Sequence, residues 1–118
     1  MKQFNYQKGK GGELVARDFL VAQGFSLLEM NYKNTIGEID LIMIDNHVLV
    51  FIEVKFKTDN LYGTPEEMVT KRKLTQVKRV AELYLVINPK IHKLYPQHRI
   101  DAVCILGSIV HHYKNIDL

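Results

Sequence analysis

Apolar positions follow a helical period from about Gly12 to Gln23, where Val15, Phe19 and Ala22 fall at i, i+4 and i+7 with Leu14, Ala16 and Leu20 beside them. This pattern predicts an amphipathic helix, and Gly24 supplies the residue on which such helices often end. The period then shortens to two. From Ser26 to Lys33, Leu28, Met30 and Tyr32 share one face, as in a strand. Ile36 to Asp45 and Val48 to Lys57 read as a second and a third strand. Asn46-His47 between them suits a tight turn, because Asn tolerates the positive φ such turns need. Asp59 to Pro65 is a polar loop. A long helix is expected from Glu66 to Ile87, with the stripe Val69, Lys73, Gln76/Val77, Val80, Leu83/Tyr84 and Ile87. Asn88-Pro89 stops it, and a basic loop with Pro96 leads to a fourth strand, Arg99 to Leu106. Gly107-Ser108 turns the chain into a short last strand, Ile109 to Tyr113. The order α-β-β-β-α-β-β predicts an α/β fold with a central mixed sheet flanked by helices.

The third strand departs from a simple core pattern. Val48, Val50, Ile52, Val54 and Phe56 share one face, and Leu49, Phe51, Glu53, Lys55 and Lys57 share the other. Glu53 and Lys55 thus appear on a face that began as core, where an uncompensated charge costs several kcal/mol. A two-residue turn at Asn46-His47 sets Asp45 opposite Val48, and counting back sets Asp40 opposite Glu53. Directly opposed carboxylates repel unless a cation or a shared proton lies between them. A magnesium ion, which takes carboxylate oxygens at about 2.0–2.1 Å, explains the arrangement economically. An ordinary same-face Glu53–Lys55 ion pair, with Asp40 at a strand end, is the competing explanation that spacing alone leaves open.

Gly37-Glu38-Ile39-Asp40-Leu41-Ile42 followed by Val50-Phe51-Ile52-Glu53-Val54-Lys55 resembles the Asp…Glu-x-Lys core of the PD-(D/E)xK nuclease superfamily. More narrowly, the chain resembles the YraN-like family of predicted endonucleases, related to archaeal Holliday-junction resolvases. The likeness spans about residues 9 to 113. It includes Gly12-Glu13 in the first helix, Asn31-Tyr32-Lys33 closing the first strand, Tyr62-Gly63-Thr64-Pro65 after the core, Lys73 on the second helix and Arg99-Ile100-Asp101 opening the fourth strand. Lys33 stands where Arg is usual and Ile100 where Phe is usual; Lys33 keeps the charge but not the bidentate fork.

The resemblance implies a restriction-endonuclease-like topology and a magnesium- or manganese-dependent endonuclease acting on DNA, branched or otherwise structured. A nucleic-acid-binding module of the same fold that cleaves nothing is the alternative. Asp40 and Glu53 are expected to hold the metal, and Lys55 to orient the nucleophile or stabilise charge developing on the phosphate. The resemblance adds the Val54 carbonyl as a ligand and makes Glu13 a metal-site or water-positioning residue. For Glu13 the helix dipole alone is a sufficient competing reason. Glu38 is read as a supporting residue. Lys73 and Gln76, at i and i+3, lie on the stripe that faces the sheet; Lys73 needs an anion there unless it snorkels to solvent.

Charge sharpens the choice of partner. The net charge is +3, yet Lys71 to Arg99 holds eight basic residues against Glu82 alone, so the rest of the chain is net negative. A basic element on an acidic body suits a polyanion, and a solvated helix face is the alternative that charge alone leaves open. Arg72, Lys78 and Arg79 are the expected phosphate contacts beside Lys73 and Gln76.

The 118 residues suffice for one domain, expected over residues 1–118. No apolar run exceeds five residues, so no membrane span is expected. Nothing at the N-terminus reads as a signal peptide, and a cytoplasmic protein is expected. The lone Cys104 reads as core and forbids an intrachain disulfide. Gly9-Lys10-Gly11-Gly12 lacks the P-loop pattern and reads as a flexible lead-in to the first helix. His111 and His112 point to opposite faces of a strand and read as surface residues. Resolvase-like enzymes are commonly dimers, which makes a homodimer compatible with the resemblance.

Overall fold

The computed structural model describes residues 8–57 and 69–116. Helix α1 is Lys8–Ala22, followed by strands β1 (Ser26–Lys33), β2 (Glu38–Asp45) and β3 (Val48–Lys57). Helix α2 is Lys71–Ile87 and a short helix α3 is Pro89–Leu94; β4 (His98–Leu106) and β5 (Ile109–Tyr113) complete the described residues. The five strands form one sheet in the order β1-β2-β3-β4-β5. All neighbours are antiparallel except β3 and β4, so the sheet is mixed as expected.

Local chemistry accounts for the ends of the elements. Gly24, at φ +105, closes α1: its N–H donates to the Val21 carbonyl, and the Phe25 N–H donates to Leu20. Asn46 and His47 both take positive φ, and Asp45 pairs with Val48 across them, the register deduced from the turn. β2 begins at Glu38 and β4 at His98, within two residues of expectation, and three larger differences remain. Thr70 adopts an extended backbone and its Oγ1 accepts the Lys73 N–H, so α2 begins at Lys71; residues 66–68 of the expected helix lie outside the described residues. Pro89 does stop α2, but its missing N–H costs nothing at a first helical position, so it starts α3 where a loop was expected. The glycine-rich lead-in is already helical from Lys8.

Two apolar layers enclose the sheet. Ala16 and Leu20 of α1 pack on Val50, Ile52, Leu41 and Met43. Val77, Val80, Ala81, Tyr84 and Leu85 of α2 pack on Leu49, Phe51, Ile39 and Ile42. The two faces of β3 are therefore those read from its alternation. The α2 stripe ends at Leu85, and Ile87 is exposed.

The β1–β2 loop ties α2 to the sheet. Asn34 Oδ1 accepts the N–H of Ile36 and of Gly37, while its Nδ2 donates to the Val80 carbonyl at 3.2 Å. Gly37 lies so close to α2 that a Cβ there would stand 2.8 Å from Gln76 Nε2. This contact sets the first turns of α2 over the end of β3.

Candidate active site

The β2–β3 ladder runs from Asp45–Val48 to Leu41–Ile52. The ladder stops one step short of the expected opposition of Asp40 and Glu53, although the charge of Asp40 acts on Glu53. Asp40 Oδ2 accepts the Val54 N–H at 2.8 Å, which holds that carboxylate on the end of β3. Glu53 is only 6% exposed. Its cationic neighbour is Lys73, with Nζ 3.7 Å from Oε2. The pairing partner given for Glu53 is thus the helix lysine, two turns from the loop clamp, and not Lys55. Lys55 is half-buried on the same face of β3, and its charge still reaches Glu53.

Glu13 arrives from the other layer. Burial and the charge of Asp40 push its carboxyl up to about 7. Burial, then the charge of Asp40, likewise raise Glu53 to about 7, against the pull of Lys73 and Lys55. Asp40 is raised by burial, with the Val54 N–H, a bond to Glu13 and the Lys73 charge acting the other way. Exposed Glu38 adds its negative charge to both Glu13 and Asp40. Three acids therefore crowd one strand end, and each resists ionising there.

Among the described residues no three His, Cys, Asp or Glu side chains form a ready-made metal cage. Magnesium is usually held by one or two carboxylates plus water and substrate phosphate. The hard oxygens of Asp40 and Glu53, crowded and reluctant to ionise, fit such an ion. Val54 enters the site through its N–H; its carbonyl belongs to the metal reading below.

The remaining expected residues divide. Gln76 Nε2 reaches the Ile36 carbonyl at 3.4 Å, so it braces the loop beside Lys73. Arg72 and Arg79 are exposed along α2. Lys78 is not on their face. It lines a separate groove with Glu82, His98, Arg99 and Asn115, because one residue of helix turns it about 100° away.

Two features escaped the sequence reading. Asn31 lies against Glu13, and with its amide nitrogen turned inward it donates to both carboxylate oxygens. Its only sequence signal was its place in the Asn31-Tyr32-Lys33 match. Second, Asp101 is fully buried and accepts from Arg99, His112 and the Asn115 N–H, while Arg99 also reaches Asp45. His112 is therefore half-buried and bonded, not a surface residue. Cys104 is buried as expected, and burial pushes its thiol up to about 11, which makes it a poor nucleophile.

A family model described as "Uncharacterised protein family UPF0102" matches residues 12–105. The chain belongs to this family. A UPF0102 protein of Cytophaga hutchinsonii is 47% identical over 104 residues, covering 86% of this chain and 87% of its own. One from Persephonella marina is 36% identical, covering 95% and 94%. One from Clostridium tetani is also 36% identical, covering 90% and 84%. UPF0102 membership thus takes in the whole constellation, from Glu13 on α1 to Lys73 on α2 and Asp101 on β4. Among the described residues no helix is long and apolar enough to cross a membrane.

Proposed function

We propose that this UPF0102 protein is a magnesium-dependent endonuclease that hydrolyses phosphodiester bonds of DNA, with branched or structured DNA as the substrate class. The mixed sheet then has the restriction-endonuclease-like arrangement of the PD-(D/E)xK superfamily. The observation that carries this reading is the pair of neighbouring carboxylates Asp40 and Glu53, with Glu53 buried, Lys73 at 3.7 Å from it and Lys55 on the same face of β3. A module that only bound nucleic acid would gain nothing from neighbouring carboxylates.

Asp40, Glu53 and the Val54 carbonyl would hold magnesium or manganese. When bound, the ion supplies charge neutralisation at the phosphate and acidifies a water. The chain's own groups do the rest. The Val54 N–H fixes the rotamer of Asp40. Lys73 orients Glu53 from α2. Lys55 sits where negative charge develops on the phosphate and offers a positive partner to it. Glu13, at about 7, is matched to accept a proton from the attacking water near neutral pH. A cytoplasmic protein, and a homodimer on a two-fold substrate, accord with this function.

The test is incubation of the purified protein with linear, flapped and four-way DNA in manganese, beside Asp40→Asn and Lys55→Ala. Asp40→Asn should abolish both metal binding by calorimetry and cleavage. Lys55→Ala should lose roughly 100-fold or more in rate while DNA affinity barely changes, because it acts on the transition state. DNA binding without cleavage in the wild type would establish a binding module instead.

A further inference from the structure

Asn31 takes φ +53 inside strand β1, opposite Asp40 in the ladder between the Met30–Leu41 and Tyr32–Ile39 pairs. Among the described residues, the other positive-φ residues outside glycine lie in the Asn46-His47 turn and at Asn115, after β5. Alternation breaks at the same level. Residues two apart in a strand share a face, yet Met30 and Leu41 pack with α1 while Tyr32 and Ile39 pack with α2. The chain reverses its faces through Asn31 and Asp40, and that reversal brings Asp40 within reach of both Glu13 from α1 and Glu53 with Lys73 from α2. Asn is among the few side chains that tolerate this backbone. Its amide meets the Glu13 carboxylate.

We propose that Asn31 is a positioning residue: the left-handed kink at Asn31 aims its amide at Glu13 and so fixes the Glu13 carboxylate beside Asp40. This deepens the nuclease reading and rests on it for its catalytic consequence, though not for the contact itself. Without the amide, Glu13 would lose the donor that orients it beside Asp40 and would be free to rotate toward water. Strained backbone at a cluster of ionisable groups is where such a role is expected.

Two substitutions separate backbone from amide. Asn31→Gly keeps the left-handed conformation available and removes the donor; Asn31→Asp keeps an Asx side chain and replaces the donor with a further carboxylate. Both should fold with wild-type circular dichroism. On the best-cleaved DNA with manganese, both should lower kcat about 10–100-fold, as supporting residues do, with KM unchanged. In a Glu13→Gln background the change Asn31→Gly should cost less than about twofold, because Asn31 acts through Glu13. Wild-type kcat in Asn31→Gly, or a loss that adds in full to that of Glu13→Gln, would overturn the proposal. Urea unfolding of the wild type, Asn31→Gly, Glu13→Gln and the double variant decides the contact independently. If the wild type cleaves none of the substrates, the nuclease reading fails; non-additive stabilities then uphold the Asn31–Glu13 contact, and additive ones overturn it.

Discussion

Asp101 and Glu53 lie on neighbouring strands and are almost equally withdrawn from water, at 0% and 6% exposure, yet the fold moves their acidity in opposite directions. Burial pushes Asp101 up, but His112, Arg99 and the Asn115 N–H outweigh it, and the carboxyl sits below the usual range. Glu53 has Lys73 at 3.7 Å, Lys55 further off and the charge of Asp40 against it, and it rises to about 7. Four hydrogen bonds converge on Asp101, at 2.8–3.1 Å. A satisfied buried charge holds a structure together, whereas an underpaired one marks a place prepared for something else. Arg99 ties the Asp101 cluster across β3 to Asp45, so it braces the sheet at the end of β2 away from Asp40.

The largest effect should come from breaking the satisfied cluster. Asp101→Ala leaves Arg99, His112 and the Asn115 N–H without their acceptor. Removing one member of a buried ion pair costs about 3–5 kcal/mol. The melting temperature should fall by roughly 10 °C or more. Glu53→Gln should leave the metal-free chain as stable or more so, because it relieves repulsion from Asp40. A small loss for Asp101→Ala together with a large loss for Glu53→Gln would invert the assignment of structural and functional carboxylates.

The two sites also predict opposite pH dependence. Glu53 titrates at 4.5 when unfolded and at about 7 when folded. The folded state therefore keeps a proton that the unfolded state has lost, and stability falls as pH rises from 4.5 to 7, then levels. The loss is on the order of 3 kcal/mol for this group. Asp101 is lowered from 3.8, so its contribution is present above that value and is lost as pH falls through its folded value. The metal-free wild type minus Glu53→Gln should thus show a declining limb between pH 4.5 and 7, and saturating magnesium should remove it. A difference that is flat across this range would show that Glu53 is not strained in the apo chain.

The sheet was legible because its signals are local. The Asn46-His47 turn fixes the β2–β3 register, from Asp45–Val48 to Leu41–Ile52, one step short of Asp40 and Glu53. The faces of β3 follow from period two. Helix α3 was hidden because Pro89 both ends one helix and begins the next. The start of α2 was hidden because Thr70 as a cap is decided by one backbone conformation. Asn31 was hidden for a deeper reason: its φ breaks alternation within β1, and period-two reasoning assumes that alternation persists. The Asp101 cluster needs β2, β4, β5 and the chain after it to meet, so no spacing within one segment discloses it. Lys78 stands one residue from Arg79, and one residue of helix is enough to turn its side chain to another groove.

That divergence yields the smallest prediction, and it asks which carboxylate cluster the DNA passes. Arg72 and Arg79, seven residues apart, are exposed along one face of α2, the helix whose Lys73 reaches Glu53. Lys78 shares its groove with Arg99 and Asn115, the residues that hold Asp101. Each phosphate neutralised on duplex DNA contributes about 0.9 to the slope of log K against log salt. If DNA runs to the Glu53 site, Arg72→Ala with Arg79→Ala should flatten that slope by roughly 2 units. Lys78→Ala should leave it unchanged. Metal affinity should be unaffected by all three substitutions, since none touches Asp40 or Glu53. A slope that responds to Lys78 and ignores the arginine pair would place the nucleic acid against the braced end of the sheet, and would detach the basic helix from the acidic pair that gives it a purpose.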